Sequence, residues 1–443
     1  MSRYQFYDHV IVGGGIAGLY QAYVLLQEDP SCAVVVLEAS RRWGGRIHTF
    51  HEDATHADPS ATPITMEFGA GRFQRSHRKL WRLLAAMGLS DRIVANRGSV
   101  GLDHRVQTTI HQIYRHVDAH PERVPALIKH SLRDYLRTTR PLVVSAADQA
   151  YLMDHFGYSA ELHRMNAWDA VGLLRSMVGT ETRPADFYSL RGGLSQLVDR
   201  LTAWLKEHGA RLVLGRTVLT IDQEDGPSPS PSPHAFTVHV SHSNTPYRAA
   251  HLYLAVPQES LERFPLLRPL RPWLATVVTV PLCRIYAVFP LDPTTGKPWF
   301  AGMKKRAVEA PLRWFIPINE TNGVAMVSYT DDEFAKYWYQ EWQRGSMTSL
   351  KHRLRDALRE ALNAPNVPLP RRLRIAYWPS GVGYWAPREG ALAQQTTQAI
   401  AARVRHPLGP DVPLRILGEN YAWPHQQWIE GALETVEPPS SKV

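Results

Sequence analysis

Hydrophobic positions along the chain change their period several times, and each change predicts an element. The run His9-Val10-Ile11-Val12 is too short for a helix and is stopped by glycines, which predicts a buried parallel strand. The turn Gly13-Gly14-Gly15-Ile16-Ala17-Gly18 follows, then a helix from Leu19 to about Gln27 and a second strand, Ala33 to Leu37, ending at Glu38. Residues 77–89 carry Leu80, Trp81, Leu83, Leu84 and Met87 at helical spacing, with Ser76 as candidate N-cap and Gly88 as the stop. Helical pattern continues to about Val178. Leu194 to His208 predicts another helix, and Arg211 to Glu224 with Ala235 to Ser241 a pair of strands. Between those strands the Pro-Ser repeat Gly226 to Pro233 cannot pair in a sheet and predicts an extended surface loop. Leu252 to Val256 predicts a strand ending at Pro257. From Arg271 the pattern turns antiparallel: Arg284 to Phe289, Leu312 to Ile318 and Val324 to Tyr329, with Asn319 to Gly323 as a hairpin turn. Leu350, Leu354, Leu358 and Leu362 mark an amphipathic helix that stops before Pro365. No internal repeat is visible.

This order predicts an α/β fold in which a Rossmann-like dinucleotide-binding domain is interleaved with a second domain of mixed sheet plus helices. The expected division is residues 1–75, 190–260 and 391–443 for the first. Residues 76–189 form the helical part and 261–390 the antiparallel-sheet part of the second. The cleft between them is the natural ligand site.

The first turn carries specific chemistry. Gly13 permits the tight turn, Gly15 lets the backbone approach a pyrophosphate, and Gly18 allows close packing of helix on strand. The helix aims its unpaired N-terminal amides at the phosphates. Glu38 follows Gly18 by about 20 residues, the spacing of a carboxylate that binds ribose hydroxyls. Strand, turn, helix, strand and acidic tip agree on a bound dinucleotide.

Bulk properties narrow the class. A chain of 443 residues has the length of about three domain-sized units, and a 44% apolar, 21% charged composition sets disorder aside for most of it. The net charge of +9 is expected to be a solvated arginine-rich exterior, with attraction to an acidic partner or anionic surface as the alternative, because no basic run with interleaved aromatics stands out; even the basic stretch His104 to Arg140 has an amphipathic helical pattern. Nucleic acid is therefore not an expected partner. Cys32, placed in a predicted strand, and Cys283, near Pro281, are too few for a disulfide framework or a CxxC metal site, so no metal is expected. No signal-peptide core opens the chain, and the apolar stretch Trp273 to Leu291 is broken by Pro281 and Arg284. A soluble, cytoplasmic protein without membrane contact is expected, with a homodimer left open. The terminal Ser441-Lys442-Val443 only approaches a peroxisomal address.

These residues resemble one family, the flavin-dependent amine oxidases: monoamine and polyamine oxidases and L-amino-acid oxidases. Leu37-Glu38-Ala39 with Gly44-Gly45-Arg46 is similar to the family's extended fingerprint, and Glu67-Phe68-Gly69-Ala70-Gly71-Arg72 to the segment under the flavin ring. Thr217-Val218-Leu219-Thr220-Ile221 resembles the strand whose backbone, here at Val218, bonds adenine. Gly418-Glu419 and Trp428-Ile429-Glu430-Gly431-Ala432 resemble the C-terminal motif in which the glutamate contacts the ribityl-pyrophosphate region. There a helix N-terminus faces the flavin and the Ile429 amide would bond the pyrimidine carbonyl. The resemblance implies FAD, held by Gly13, Gly15, Ala17, Gly18, Glu38, Gly45, Arg46, Ala70, Gly71, Arg72, Val218, Glu419 and Ile429. It also implies noncovalent attachment, since Gly383 stands where some monoamine oxidases carry a linking cysteine.

By the same resemblance, bound flavin accepts a hydride from a carbon bearing a neutral amine, and oxygen restores it with release of hydrogen peroxide. Arg72, with Phe73 and His77 beyond it, resembles the carboxylate clamp of L-amino-acid oxidases, a task suited to a planar guanidinium fork. An arginine salt-bridged within its domain or touching the cofactor is the alternative. Tyr384 and Trp428 match the aromatic pair over the flavin face, with core packing as the alternative, and Trp378 lines the same wall. Arg284 stands where the family has a lysine that holds a water, and a guanidinium cannot copy an ammonium, although it still supplies positive charge. The expected activity is oxidation of an L-amino acid or related amine. A polyamine oxidase and a flavin-binding protein without turnover are the alternatives.

Overall fold

The computed structural model describes residues 5–52, 64–95, 102–178, 187–224 and 235–437. The Pro-Ser segment and the terminal Ser441-Lys442-Val443 lie outside them.

The strand Gln5–Val12 sits inside a seven-stranded sheet, flanked in parallel by Val34–Leu37 and Tyr247–Leu254. From His9 to Val12 its side chains are buried on both faces. Ile11 and Val36 pack among residues of the helices Ile16–Glu28 and Ser195–Glu207. Val10, Val12, Val35 and Leu37 pack on the other side with Phe236, Leu261 and Leu274. Burial on two faces is why this strand reads as a continuous apolar run. The short strand Leu414–Ile416 pairs in parallel with Tyr247–Leu254, which brings the C-terminal segment to the sheet that the N-terminal strand begins.

Two sequence expectations are corrected here. Arg211 to Glu224 is not one strand. Gly215, at φ +69°, turns the chain, and the amides of Gly215 and Arg216 bond the Ser40 and Glu38 carbonyls. Arg211–Val213 then lies at one edge of the sheet beside Val34–Leu37, and Val218–Glu224 at the opposite edge beside Ala235–Val240. Ser76 does not cap the helix Arg78–Ala86, whose N-cap position is His77 without a side-chain cap. Glu430 does the capping instead, accepting from the amides of Lys79 and Leu80 at 2.8 and 2.9 Å. A local capping rule could not find a carboxylate some 350 residues away in the chain. Cys32, expected in a strand, lies in the turn before Val34 and is half-buried.

The second sheet is antiparallel, with Val277–Val288 between Val324–Asp331 and Arg372–Trp385, and Trp314–Asn319 outside. Cys283, Ile285 and Ala287 face Trp338, Leu350, Leu354 and Leu358 on the helices Asp332–Arg344 and Met347–Ala361. Each such leucine buried contributes about 1.5–3 kcal/mol, so the four-residue leucine spacing is what seats the second helix. Val280, Val382 and Tyr384 pack toward the helical layer built from residues 104–178. This face of the second sheet is therefore covered by a helix layer.

Candidate active site

One cavity of about 1220 Å³ runs from the glycine turn, past the C-terminal motif, to the face between the antiparallel sheet and the helical layer. At the first end, Gly13 is at φ +107°, and a Cβ there would meet the Ala255 carbonyl oxygen at 2.2 Å. Gly18 lies off the cavity, where a Cβ would meet the Gly13 carbonyl oxygen at 2.0 Å; its role is helix-to-strand packing. Gly15 lines the cavity with nothing within 4 Å of a built Cβ, and it opens the helix Ile16–Glu28 without a side-chain cap. This is a cradle of backbone amides with room for an anion, and Ala17 lines it too. Glu38 accepts from Gly14 N–H at 2.7 Å and Ser40 N–H at 2.8 Å, leaving lone pairs for hydroxyl donors.

Farther along, Gly45, Arg46, Val218, Glu419 and Ile429 line the same cavity. Arg46 donates to the Glu419 carboxylate and, at 3.3 Å, to the Gly381 carbonyl. Glu419 also accepts from Gln427 N–H at 2.9 Å. The two motifs near the chain ends thus meet in an ion pair. The helix Ile429–Glu434 begins at the cavity wall. Nearby, the Asn420 Nδ2 is buried without a partner.

The segment Glu67 to Arg72 crosses the floor. Glu67 is half-buried and accepts from Thr49 Oγ1 and Leu194 N–H, and desolvation raises its pKa. Ala70, Gly71 and Arg72 line the cavity. Arg284 donates to the Glu67 carbonyl at 2.8 Å and to the Gly69 carbonyl, with its guanidinium 4.4 Å from the Tyr329 ring centroid. Burial opposes its charge, but Tyr329 and Tyr286 outweigh that and raise its pKa. Arg284 lines the cavity, and part of its donor set is committed to backbone. Trp378 Nε1 bonds the Phe68 carbonyl at 2.7 Å, which fixes the indole against this segment.

Pairing of Phe73–Gln74 with Phe187–Leu190 brings Arg72 beside Phe187. The Arg72 guanidinium lies 4.7 Å from the Phe187 ring centroid and 6.0 Å from that of Trp428, and no carboxylate among the described residues pairs with it. His77 is fully buried against Trp428 and His425, and burial, then His425, lowers its pKa to about 3. Tyr384, 3% exposed, lines the cavity together with Trp428.

Two groups were missed in the sequence. Lys305 lines the cavity with its ammonium 4.5 Å from the Trp314 ring centroid; burial, then Arg72 and Arg284, push it well below the usual lysine range. Met303-Lys304-Lys305-Arg306 reads as a solvated basic run, and only the fold decides which member turns inward. Glu161 is 6% exposed, lines the cavity, and its Oε2 has no partner. Burial, then Asp331, raises its pKa well above the carboxylate range.

The family model for flavin containing amine oxidoreductases matches residues 16–164 and 144–435. The chain belongs to this family. An oxidoreductase with FAD as cofactor is what membership means, and the glycine cradle, Glu38 and the Arg46–Glu419 pair fit that group. The fold of this amine oxidoreductase is shared by putrescine oxidase solved with putrescine, at TM-score 0.72 and 17% identity over 98% of both chains. Cyclohexylamine oxidase from Brevibacterium oxydans IH-35A follows at TM-score 0.68 and 18% identity, over 97% of this chain and 96% of that one. Curated relatives match locally. L-amino-acid oxidase of Mus musculus is 41% identical over 81 residues, 18% of this chain and 11% of that protein. Coproporphyrinogen III oxidase of Staphylococcus aureus is 34% identical over 86 residues, 19% of this chain and 16% of that protein. The match thus spans less than a fifth of the length of either curated relative. Among the described residues no helix is long and apolar enough to cross a membrane, and no His, Cys, Asp or Glu cluster is placed to hold a metal ion.

Proposed function

We propose that the chain oxidises the C–N bond of an L-amino acid to an imine, with FAD as hydride acceptor and oxygen as the final acceptor, giving hydrogen peroxide. One observation carries the choice of an amino acid over a plain amine. Arg72 and Lys305 face one cavity with Arg284, and no described carboxylate pairs with them. Basic groups that converge without a carboxylate paired to any of them make a site for a substrate carboxylate. On this reading the Arg72 fork takes the carboxylate and Lys305 adds a second charge-assisted bond. Tyr384 and Trp428 flank the amine, Trp378 closes the wall, and Arg284 holds the Glu67–Gly69 carbonyls while lending positive field. FAD is bound noncovalently through Gly13, Gly15, Ala17, Glu38, Gly45, Arg46, Ala70, Gly71, Val218, Glu419 and Ile429. Residues 1–75, 190–260 and 391–443 form its domain. Neither Cys32 nor Cys283 lines the cavity, which supports noncovalent attachment.

The test is anaerobic mixing of the yellow holoprotein with a panel: the common L-amino acids, tryptamine and phenethylamine, putrescine, spermine and coproporphyrinogen III. Bleaching by at least one amino acid, faster than by its decarboxylated amine, is the expected result. Bleaching by spermine or putrescine alone selects a polyamine oxidase. Bleaching by the porphyrinogen alone selects the reaction named for the Staphylococcus relative, and persistent colour throughout selects a flavin-binding protein without turnover.

A further inference from the structure

Five carboxylates line the cavity among the described residues, and four are engaged. Glu38 holds two backbone amides, Glu419 holds Arg46 and the Gln427 amide, and Asp118 holds Arg175. Asp169 accepts from Asn166 Nδ2 at 2.7 Å and Thr397 Oγ1 at 2.8 Å. Glu161 is the exception. It forms no ion pair with a described residue, and its Oε2 is buried without any hydrogen bond. The geometry around it is rigid: Asp331, itself fully buried, accepts from Ser159 N–H at 3.0 Å and Ala160 N–H at 2.8 Å, which clamps the turn that presents Glu161. A side-chain hydrogen bond links it to Tyr384, so Oε2 is the oxygen left without a partner.

A buried acceptor left unsatisfied by its own chain costs about 1–3 kcal/mol, and a ligand donor removes that cost. The substrate of an amine oxidoreductase brings such a donor. In water at neutral pH the amine is an ammonium, which has no lone pair on nitrogen to support departure of the hydride. We propose that Glu161 receives the substrate ammonium and takes one of its protons, so that the neutral amine is formed inside the cavity. An N–H bond breaks with its electron pair remaining on nitrogen, an O–H bond forms on the carboxylate, and R–NH3⁺ with –COO⁻ becomes R–NH2 with –COOH. No oxidant enters this step. The proposal rests on C–N oxidation at this site and holds for an amino acid or a plain amine alike.

The charged and titratable groups facing Glu161 are Asp331, Arg313, Tyr384 and Tyr158. Burial and Asp331 raise its pKa, while its own backbone, Tyr384 and Arg313 pull it down. A carboxyl moved upward from the usual range is nearer to what a base at neutral pH requires.

The experiment uses holoprotein, native and with Glu161→Gln or Glu161→Asp, and whichever panel compound bleaches native flavin fastest. Anaerobic reduction is followed from pH 6 to 10. Glu161→Gln is expected to slow reduction at pH 7 by about 100-fold. That deficit closes as the pH nears the amine's own pKa, because solution then supplies neutral amine. Glu161→Asp lies between. A second readout needs no turnover: the α-methyl derivative, in which methyl replaces every hydrogen on the amine-bearing carbon of the same compound, has no hydride to lose, and its binding, read from the flavin spectrum, is expected to weaken about tenfold in Glu161→Gln. A native rate at pH 7, a deficit equal at every pH, or unchanged binding of the α-methyl derivative overturns the proposal. Failure of native protein to be bleached by any panel compound overturns the reading beneath it instead. Flavin content and thermal midpoint of each variant separate misfolding from lost function, and Glu161→Asp carries the test if Glu161→Gln does not fold.

Discussion

The two ends of the cavity treat their polar groups in opposite ways. At the glycine-turn end the chain satisfies most of its polar groups, Asn420 Nδ2 excepted: Glu38 holds two amides, Arg46 and Glu419 hold each other, and Glu430 caps a helix from far along the sequence. At the far end Arg72 lies over the Phe187 and Trp428 rings with no described carboxylate paired to it, Lys305 is repelled by two arginines, and Glu161 keeps an oxygen without a partner. A satisfied group stabilises the fold, whereas a buried unsatisfied group is a cost the fold carries for another purpose. Substitution should therefore harm stability at the first end and catalysis at the second.

The largest effect is expected at Arg72. Arg72→Leu should lower kcat/KM for the best amino acid by about 10²–10³-fold, in line with loss of a buried charge-assisted pair, and leave the thermal midpoint unchanged. An equal loss with the decarboxylated amine would break the assignment of Arg72 to the carboxylate. Next comes Gly18→Ala at the satisfied end. Its Cβ would press on the Gly13 carbonyl oxygen, so destabilisation of about 3 kcal/mol and loss of flavin are expected. Gly15→Ala, whose Cβ meets nothing, should leave the thermal midpoint of flavin-free protein unchanged and weaken FAD binding alone, as titration with FAD would show.

Lys305→Met sharpens the contrast because two signs must differ. kcat/KM for the amino acid should fall about 30-fold, while the fold gains about 1 kcal/mol from losing a buried, repelled cation. The native pKa lies below the unfolded 10.5, so the unfolded chain binds more protons between the two values. Native stability therefore rises with pH through that window, and thermal midpoints of Lys305→Met should lack that rise. Over the same window native affinity for the carboxylate falls as the ammonium deprotonates. The smallest effect belongs to Glu430→Gln. It keeps one acceptor for the amides of Lys79 and Leu80 and should cost about 1 kcal/mol by denaturant unfolding, with kinetics unaltered.

Much of the first end was readable because its rules are local. A glycine that must avoid a carbonyl, a strand buried on two faces and a carboxylate at a strand tip each leave a mark within about 20 residues. The helix at Leu350 to Leu358 was readable for the same reason, through its spacing. Ser76 failed as a cap and Arg211 to Glu224 failed as one strand because the deciding partners, Glu430 and the carbonyls of Glu38 and Ser40, are distant in the chain. Pattern and spacing determined a nucleotide-binding α/β protein, and the family resemblance implied that its two terminal regions serve one cofactor. Only the tertiary structure decided that Lys305 rather than Lys304 turns inward, that Arg284 is held by backbone carbonyls, and that Glu161 faces the cavity with an oxygen to spare. The physical reason is desolvation: whether a charge is solvated, paired or left waiting for a ligand depends on what surrounds it in space, and neighbours in sequence do not fix that.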